Sequence, residues 1–340
     1  MHHVFLVHSH ITYAVAAKVV EHERIDKRSV VLLASRGFLP PEDRLRLVPI
    51  DYSFDPESFP RQANLLDSRR RLRAMDHFLR DLVAGDRFHF YTPQTGQRFI
   101  QIIKSSPRCA GFSYLEEGLG TYLTREELEK IDRTKRATWL DRISYAGRIG
   151  DASFYDEGQD HAYCVHSAAF PGMQGRVVLH DVFSPPRDLD LSAIRTVIVC
   201  DGMAWHGQVR SASLLHALDR VLDELRDEGV TSVHFKLHPA QVGTDEENAI
   251  HALFRRHAES VAAKALPNEV SLEQLAFAAP HVRYLIGLSS AGLYAALMGR
   301  TVRSYARYVC EVEPEYACFV DQLPSLYRER LQFLGDADLF

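Results

Sequence analysis

Two adjacent carboxylates, Glu116 and Glu117, come directly after an apolar stretch in the segment SYLEEGLGTY. Gly118 follows them and is typical of a turn. Neighbouring carboxylates repel one another, and partial burial raises the pKa of at least one of them, which suits a general base. We assign that role to Glu116, while a polar loop with a glycine turn remains the alternative.

A cation and an imidazole lie two residues apart in the segment VHFKLHPA. Because side chains alternate along a strand, Lys236 and His238 share one face, and Pro239 then ends the strand. Together the two side chains could bind a phosphate or an anionic leaving group. A solvated strand end, which tolerates many residue types, is the alternative interpretation.

Two hydroxyls, those of Ser289 and Ser290, lie where an apolar stretch passes into a helical pattern in IGLSSAGLYAALMG. The first turn of a helix has unpaired N–H groups and a positive dipole end, which favour an anion. Ordinary N-capping needs only one serine. The pair therefore favours a phosphate site, with simple capping as the alternative.

The elements that must position these side chains alternate between strands and helices. The first half has strand patterns over 3–9, 29–35, 87–93 and 109–115 with helical patterns between them, and the second half repeats this with strand patterns over 196–202, 230–239, 281–287 and 301–309. A proline-bearing segment beginning at Ser184 separates the halves. We predict an α/β protein of the GT-B class, with two Rossmann-like domains, 1–183 and 184–340, facing a central cleft.

Composition excludes several other classes of protein. The 340 residues carry a net charge of -5, which gives no reason to expect nucleic-acid binding. No stretch is long and apolar enough to span a membrane, and the start of the chain does not resemble a signal peptide. Five cysteines without a CxxC pair favour a reduced, cytoplasmic protein.

The sequence predicts neither a metal nor a cofactor. His8 and His10 lack the partners of a known zinc pattern. Asp188 and Asp190 form a DxD that resembles a metal–nucleotide motif, but it lies beside prolines without a preceding apolar strand. We therefore reject both pairs as metal sites.

In this order, the acid-acid-Gly, His-Pro and Ser-Ser motifs resemble those of bacterial GT-B sialyltransferases, most closely the lipooligosaccharide sialyltransferase and polysialyltransferase branches. Glu273 in LPNEVSLEQL matches the family's ribose-binding glutamate. The resemblance implies metal-independent, inverting transfer of sialic acid from CMP-sialic acid to a hydroxyl of an oligosaccharide or glycolipid, such as a terminal galactose or sialic acid of lipooligosaccharide or capsule. Glu116 would be the base, and His238, Ser289 and Ser290 would stabilise the departing CMP. Lys236 would contact the nucleotide.

Three alternatives stay open beside this interpretation: a CMP-Kdo-dependent transferase, a CDP-glycerol-type phosphotransferase and an inactive GT-B glycan-binding protein. The segment 124–150 has a helical pattern with many charges of both signs, which favours a pair of solvated helices. The alternative is a lid or a surface that lies on a membrane. The resemblance also allows a homodimer and peripheral association with the inner face of the cytoplasmic membrane.

Overall fold

A computed structural model describes residues 1–35, 38, 45–49, 59, 64–131, 137–151, 153–186, 189–205 and 207–335. The chain divides into two compact units, Met1–Val182 and Phe183–Phe340, each with its own core. The division falls within one residue of the predicted domain boundary.

Unit 1 contains a parallel sheet of seven strands within the described residues. The strands are β1 (His2–Val7), β2 (Val30–Ala34), β3 (Arg46–Pro49), β4 (Phe88–Thr92), β5 (Cys109–Leu115), β6 (Ala162–Cys164) and β7 (Arg176–Val178). The helices are α1 (His10–His22), α2 (Leu65–Leu82), α3 (Arg98–Lys104), α4 (Arg125–Ile131) and α5 (Trp139–Ser144). The strand order is β3-β2-β1-β4-β5-β6-β7.

Unit 2 contains a second parallel sheet, of six strands within the described residues. The strands are β8 (Thr196–Cys200), β9 (Ser232–Leu237), β10 (Ala262–Ala265), β11 (Arg283–Ile286), β12 (Val302–Ser304) and β13 (Gln332–Phe333). The helices are α6 (Ser211–Asp227), α7 (Asp245–Arg256), α8 (Leu272–Ala278), α9 (Ser290–Leu297), α10 (Ala306–Cys310), α11 (Ala317–Asp321) and α12 (Ser325–Arg328). The strand order is β10-β9-β8-β11-β12-β13.

The second sheet has the 3-2-1-4-5-6 order of the doubly wound Rossmann fold, and the first has the same order with a seventh strand, β7, beside β6. Their central strands are buried on both faces, as β2 and β8 show along their whole length, because helices cover a parallel sheet on each side. The predicted fold class, an α/β chain of the GT-B class with two Rossmann-like domains, is confirmed.

The last predicted strand, 301–309, is wrong in its second half. Only Val302–Ser304 is extended, and Ala306–Cys310 is helical. The Ser304 hydroxyl accepts a hydrogen bond from the Ala306 N–H (3.1 Å) and stops the strand by turning the chain. Among the described residues the last strand is β13, which is too short to show an apolar period.

In segment 124–150, two short helices, α4 and α5, flank residues 132–136, which lie outside the described residues. Asp188 of the rejected DxD lies outside them as well, whereas Asp190 caps a 3₁₀ turn by accepting a hydrogen bond from the Ser192 N–H (3.0 Å). In the described part of the chain, no helix combines the length and the hydrophobicity that a bilayer crossing requires.

Candidate active site

The second sheet has its topological switch point between β8 and β11, and a buried carboxylate lies there. Asp201 directly follows β8, and its Oδ2 accepts hydrogen bonds from the N–H groups of Leu288 (2.7 Å) and Ser289 (3.2 Å), which follow β11. In doubly wound sheets, ligands bind beyond the carboxyl ends of the strands at this point. Asp201 therefore joins the two loops that would form the ligand crevice.

The carboxyl of Asp201 is almost completely buried, and this changes its protonation. Burial raises its pKa from 3.8 to about 7, although the three backbone N–H donors of Gly287, Leu288 and Ser289 oppose the rise. Within the described residues, its Oδ1 is buried without a hydrogen-bond partner. A proton on Asp201 near neutral pH lowers the cost of burying this group.

His238 lies beside Asp201 in a fixed orientation. Its Nδ1 accepts a hydrogen bond from the Ala240 N–H (3.2 Å), which leaves the proton of the neutral imidazole on Nε2. The Gln241 side chain accepts from the His238 N–H (2.8 Å) and donates to the Asp201 carbonyl (3.1 Å). Gly202 provides room for the ring, since a Cβ there would lie 2.8 Å from His238 Cγ. The predicted His-Pro motif is thus held against the switch point.

The two serines have different roles at the start of α9. Ser289 is the N-cap, and its Oγ accepts a hydrogen bond from the Ala291 N–H (3.3 Å). Ser290 is the first residue of the helix and is half-buried, and in the described part of the chain its hydroxyl makes no hydrogen bond. The N–H groups of Ala291 and Gly292 already donate to Ser289, so it is the Ser290 hydroxyl, at the positive end of the helix dipole, that is available to an anion.

Lys236 is buried, so the solvated-strand-end interpretation is wrong for this residue. Its Nζ donates to the Pro267 carbonyl (2.7 Å), and burial lowers its pKa to about 8, opposed by Glu269 and Glu273. Lys236 therefore links β9 to the segment that carries Glu273. Its direct contact with a nucleotide stays a prediction.

Glu273 lies in the first turn of α8 and is largely buried. Burial raises the pKa of its carboxyl, and this is opposed by the Ser271 hydrogen bond and by Lys236. Ser271 and Gln274 cap α8 reciprocally, as the capping-box pattern in the sequence predicts. The ribose-binding role of Glu273 remains a prediction.

In unit 1, Glu116 directly follows β5 and is completely buried. Its Oε1 accepts from the Tyr122 hydroxyl (2.5 Å) and its Oε2 from the Val165 N–H (2.6 Å). A carboxylate with both oxygens occupied by protein donors stabilises the loop between β5 and β6. This geometry does not favour Glu116 as the base.

Glu117 is the more accessible of the two acids, with 12% of its side chain exposed. Its Oε2 lies 3.5 Å from His8 Nε2, at the carboxyl end of β1. Gly118 adopts φ 134°, a conformation that favours glycine and that turns the chain directly after the acid pair. The carboxyl edge of the first sheet thus brings together His8 and Glu117, which lie far apart in the sequence.

Several residues of these two edges are absent from the predicted site. Asp201 and Gly202 end the strand TVIVCDG, and they could have been found by the strand-end reasoning that selected Glu116 and Ser289. Gln241 carries no local signal, because its role depends on hydrogen bonds to two separate loops. Over the described ranges, no group of three or more His, Cys, Asp or Glu side chains is arranged to hold a metal ion.

No family model and no curated protein matches the chain. Similar solved structures include the S. aureus MnaA–UDP co-structure (8% identity, 96% of this chain and 91% of that chain covered, TM-score 0.49). Acinetobacter baumannii MurG (10%, 98% and 96%, 0.41) and the E. coli heptosyltransferase WaaC with ADP-2-deoxy-2-fluoro heptose (15%, 89% and 88%, 0.40) are also similar. The fold assignment rests on the two strand orders.

Asp201→Asn is expected to change how stability depends on pH. A carboxyl with a raised pKa in the folded state contributes stability at low pH, and this is lost as pH rises from about 4 to the folded value of about 7. The stability of the wild type relative to the variant should therefore fall across this window. Urea unfolding of both proteins at several pH values measures the difference, and parallel pH profiles would contradict the assignment.

Proposed function

We propose that the protein is an inverting glycosyltransferase that moves sialic acid from CMP-sialic acid to a hydroxyl of a glycan acceptor. The observation that supports this most is the switch point of the second sheet, beside which lie the imidazole of His238, the Ser290 hydroxyl and the positive end of the α9 dipole. A CMP-sugar already carries a phosphate leaving group, so the reaction needs no metal.

The departing phosphate gains negative charge as the anomeric bond breaks. Neutral His238 would donate its Nε2 proton in a hydrogen bond to this phosphate, and Ser290 would donate a second. Both donors are positioned before the reaction, His238 by Ala240 and Gln241 and Ser290 by the helix. Glu273 would accept hydrogen bonds from the ribose hydroxyls of the cytidine.

The acceptor hydroxyl requires a base, and we assign this role to Glu117 in place of Glu116. Glu117 is partly accessible and has His8 beside it, whereas both Glu116 oxygens accept hydrogen bonds from the protein. Glu117 would take the acceptor's proton while that oxygen attacks the anomeric carbon and CMP leaves. The acceptors implied by the resemblance are terminal galactose or sialic acid.

The proposal predicts CMP release from CMP-sialic acid that lactose or a galactose-ended glycolipid stimulates. CMP-Kdo and CDP-glycerol in parallel reactions should yield no release, and EDTA should not change the rate. If the acceptor instead stimulates nucleotide release from CMP-Kdo or CDP-glycerol, that compound would be the donor in place of CMP-sialic acid. If none of the three donors is turned over and CMP still raises the melting temperature of the protein, an inactive nucleotide-binding protein would be favoured.

An exposed apolar patch on unit 1 supports the idea that the acceptor is held at a membrane. We call it the α2–α5 patch; it consists of Leu65, Leu66, Trp139, Leu140 and Ile143, all exposed. The helices are adjacent, since Arg69 Nη2 donates to the Ile143 carbonyl (3.0 Å).

Exposed arginines lie along the same helix as the leucines of the α2–α5 patch. Arg70 and Arg73 are exposed and form no ion pair with any described residue. Apolar side chains bordered by unpaired cations are typical of a helix that lies on an anionic membrane surface. We therefore assign the patch to such a surface.

Tryptophan fluorescence can test this membrane surface, because the chain has only two tryptophans. In Trp205→Phe, the remaining Trp139 should shift its emission to the blue with vesicles containing phosphatidylglycerol, and less with phosphatidylcholine alone. In the matched Trp139→Phe variant, Trp205 should not respond. A shift that depends on protein concentration without vesicles would instead indicate a second copy on the patch.

A further inference from the structure

A polar cavity lies over the first sheet at the amino ends of its strands. Its volume is about 580 Å³, and its floor includes His3, His89, Tyr91, Ser113 and Tyr163. The strand register pairs His3 with His89 and Tyr91 with Ser113, which places these side chains on one face. The carboxyl edge with Glu117 is the opposite edge of the same sheet, so this cavity is a separate site.

The polarity of this floor is unusual for a sheet of this class. Faces of parallel sheets are normally apolar because helices cover them. Here each polar group is held by another: His89 Nε2 and Ser113 Oγ are 2.9 Å apart, and His3 Nδ1 and the Tyr91 hydroxyl are 3.1 Å apart. A fixed set of polar groups in a concave aromatic surface is typical of a ligand site.

The floor is neutral, and the rim carries three carboxylates, Glu23, Asp26 and Asp160, against one cation, Arg24. Burial and the neighbouring His89 lower the pKa of His3 to about 4, and burial also lowers the pKa of His89. At the rim, Glu23 accepts a hydrogen bond from the Tyr163 hydroxyl (2.9 Å), and Asp160 Oδ2 lies 3.6 Å from His89 Nδ1. Neutral imidazoles next to carboxylates disfavour an anionic ligand.

The rings that line the cavity are tilted and do not form a parallel slot. The angle between ring planes is 54° for His89 and Tyr91, 44° for Tyr91 and Tyr163, and 65° for His161 and Tyr163. A flat base would stack on one ring only. A puckered ring with hydroxyls around its edge can contact several rings while it satisfies the polar groups between them.

His89 lies between Ser113 and Asp160, an arrangement that is similar to the serine, histidine and aspartate of a hydrolase triad. Ser113, however, is completely buried in the middle of β5, and the His89–Asp160 separation is longer than a hydrogen bond. A nucleophile must reach its substrate, so these residues suit binding rather than hydrolysis.

We propose that this cavity is a carbohydrate-binding site for a neutral sugar ring. The carboxylates of Glu23 and Asp160 accept hydrogen bonds from sugar hydroxyls, and the neutral histidines donate to and accept from others. Tyr91 and Tyr163 are buried, so the half-buried imidazole rings of His3 and His89 and the exposed ring of His161 contact the apolar C–H faces of the sugar. This binding is independent of the proposed transferase activity and requires no donor nucleotide.

Calorimetric titration with galactose, galactosamine and galacturonate tests both the site and the class of ligand. These probes share one ring and differ in charge, and galactose should bind while galacturonate binds far more weakly. Glu23→Gln and Asp160→Asn should each weaken galactose binding about tenfold, as expected for a lost hydrogen bond to a charged group. Glu21→Gln is the matched control, since Glu21 is exposed on α1 and does not line the cavity.

Two results would overturn the assignment. Unchanged galactose affinity in both carboxylate variants would place the sugar elsewhere, and a clear preference for galactosamine would replace the neutral ligand with a cationic one. His238→Ala and Glu117→Gln should keep galactose binding at the cavity. A failure of the transferase proposal would therefore leave this result unaffected.

Discussion

Replacing His238 by alanine is expected to lower turnover about 10²- to 10⁴-fold while CMP binding persists. In the proposed reaction the imidazole would stabilise the charge that develops on the phosphate, so its loss should affect the transition state more than the bound donor. Single-turnover CMP release and CMP titration measure the two quantities separately.

His234→Ala is the matched control for this prediction. His234 lies on β9, the strand that leads to His238, and is also partly buried, but it is four residues before His238 and away from the strand end. Its replacement should leave turnover nearly unchanged. Wild-type rates in His238→Ala, or equal losses in both variants, would contradict the leaving-group role.

Glu117→Gln is expected to lower turnover by about 10²- to 10⁴-fold without a large change in stability, because it removes the base. Glu116→Gln should behave in the opposite way. Its amide can accept from only one of the two donors, Tyr122 or the Val165 N–H, so the free energy of unfolding should fall by about 1–3 kcal/mol. Urea unfolding and acceptor-dependent rates, measured on both variants, separate the two roles.

The opposite outcome would restore the interpretation based on the sequence. If Glu116→Gln lost turnover with CMP binding and stability intact, and Glu117→Gln stayed active, Glu116 would be the base. Equal losses in both variants, with lowered stability in each, would indicate that the acid pair is structural.

Much of the fold could be predicted from the sequence because its signals are local. Alternating strand and helix patterns, together with the proline-bearing segment at Ser184, predict two parallel α/β units, and the strand orders confirm them. The wrong prediction of a strand over 301–309 also follows from relying on local hydrophobic patterns. One serine side chain ends β12, and a hydrogen bond of this kind leaves no trace in the hydrophobic period.

The candidate site could be predicted only in part. Strand-end reasoning selected His238, Ser289 and Ser290, which the structure places near one switch point with Asp201. It assigned the base to Glu116, yet the sequence holds no signal that separates Glu116 from Glu117, because neighbouring residues at a strand end differ in burial only through what packs against them. Tyr122 and Val165 decide that burial, and they lie 6 and 49 residues away.

By itself, the sequence determined which residue types lie at which strand ends, since period and turn chemistry are properties of short segments. The tertiary structure alone decided how deeply each is buried and which groups meet. Asp201 acquires its raised pKa from burial, which the N–H donors of Leu288 and Ser289, 87 and 88 residues away, oppose. The cavity on the first sheet is likewise formed by strands that the sheet order brings together. Burial and long-range pairing set protonation and access, and both depend on the packing of the folded chain.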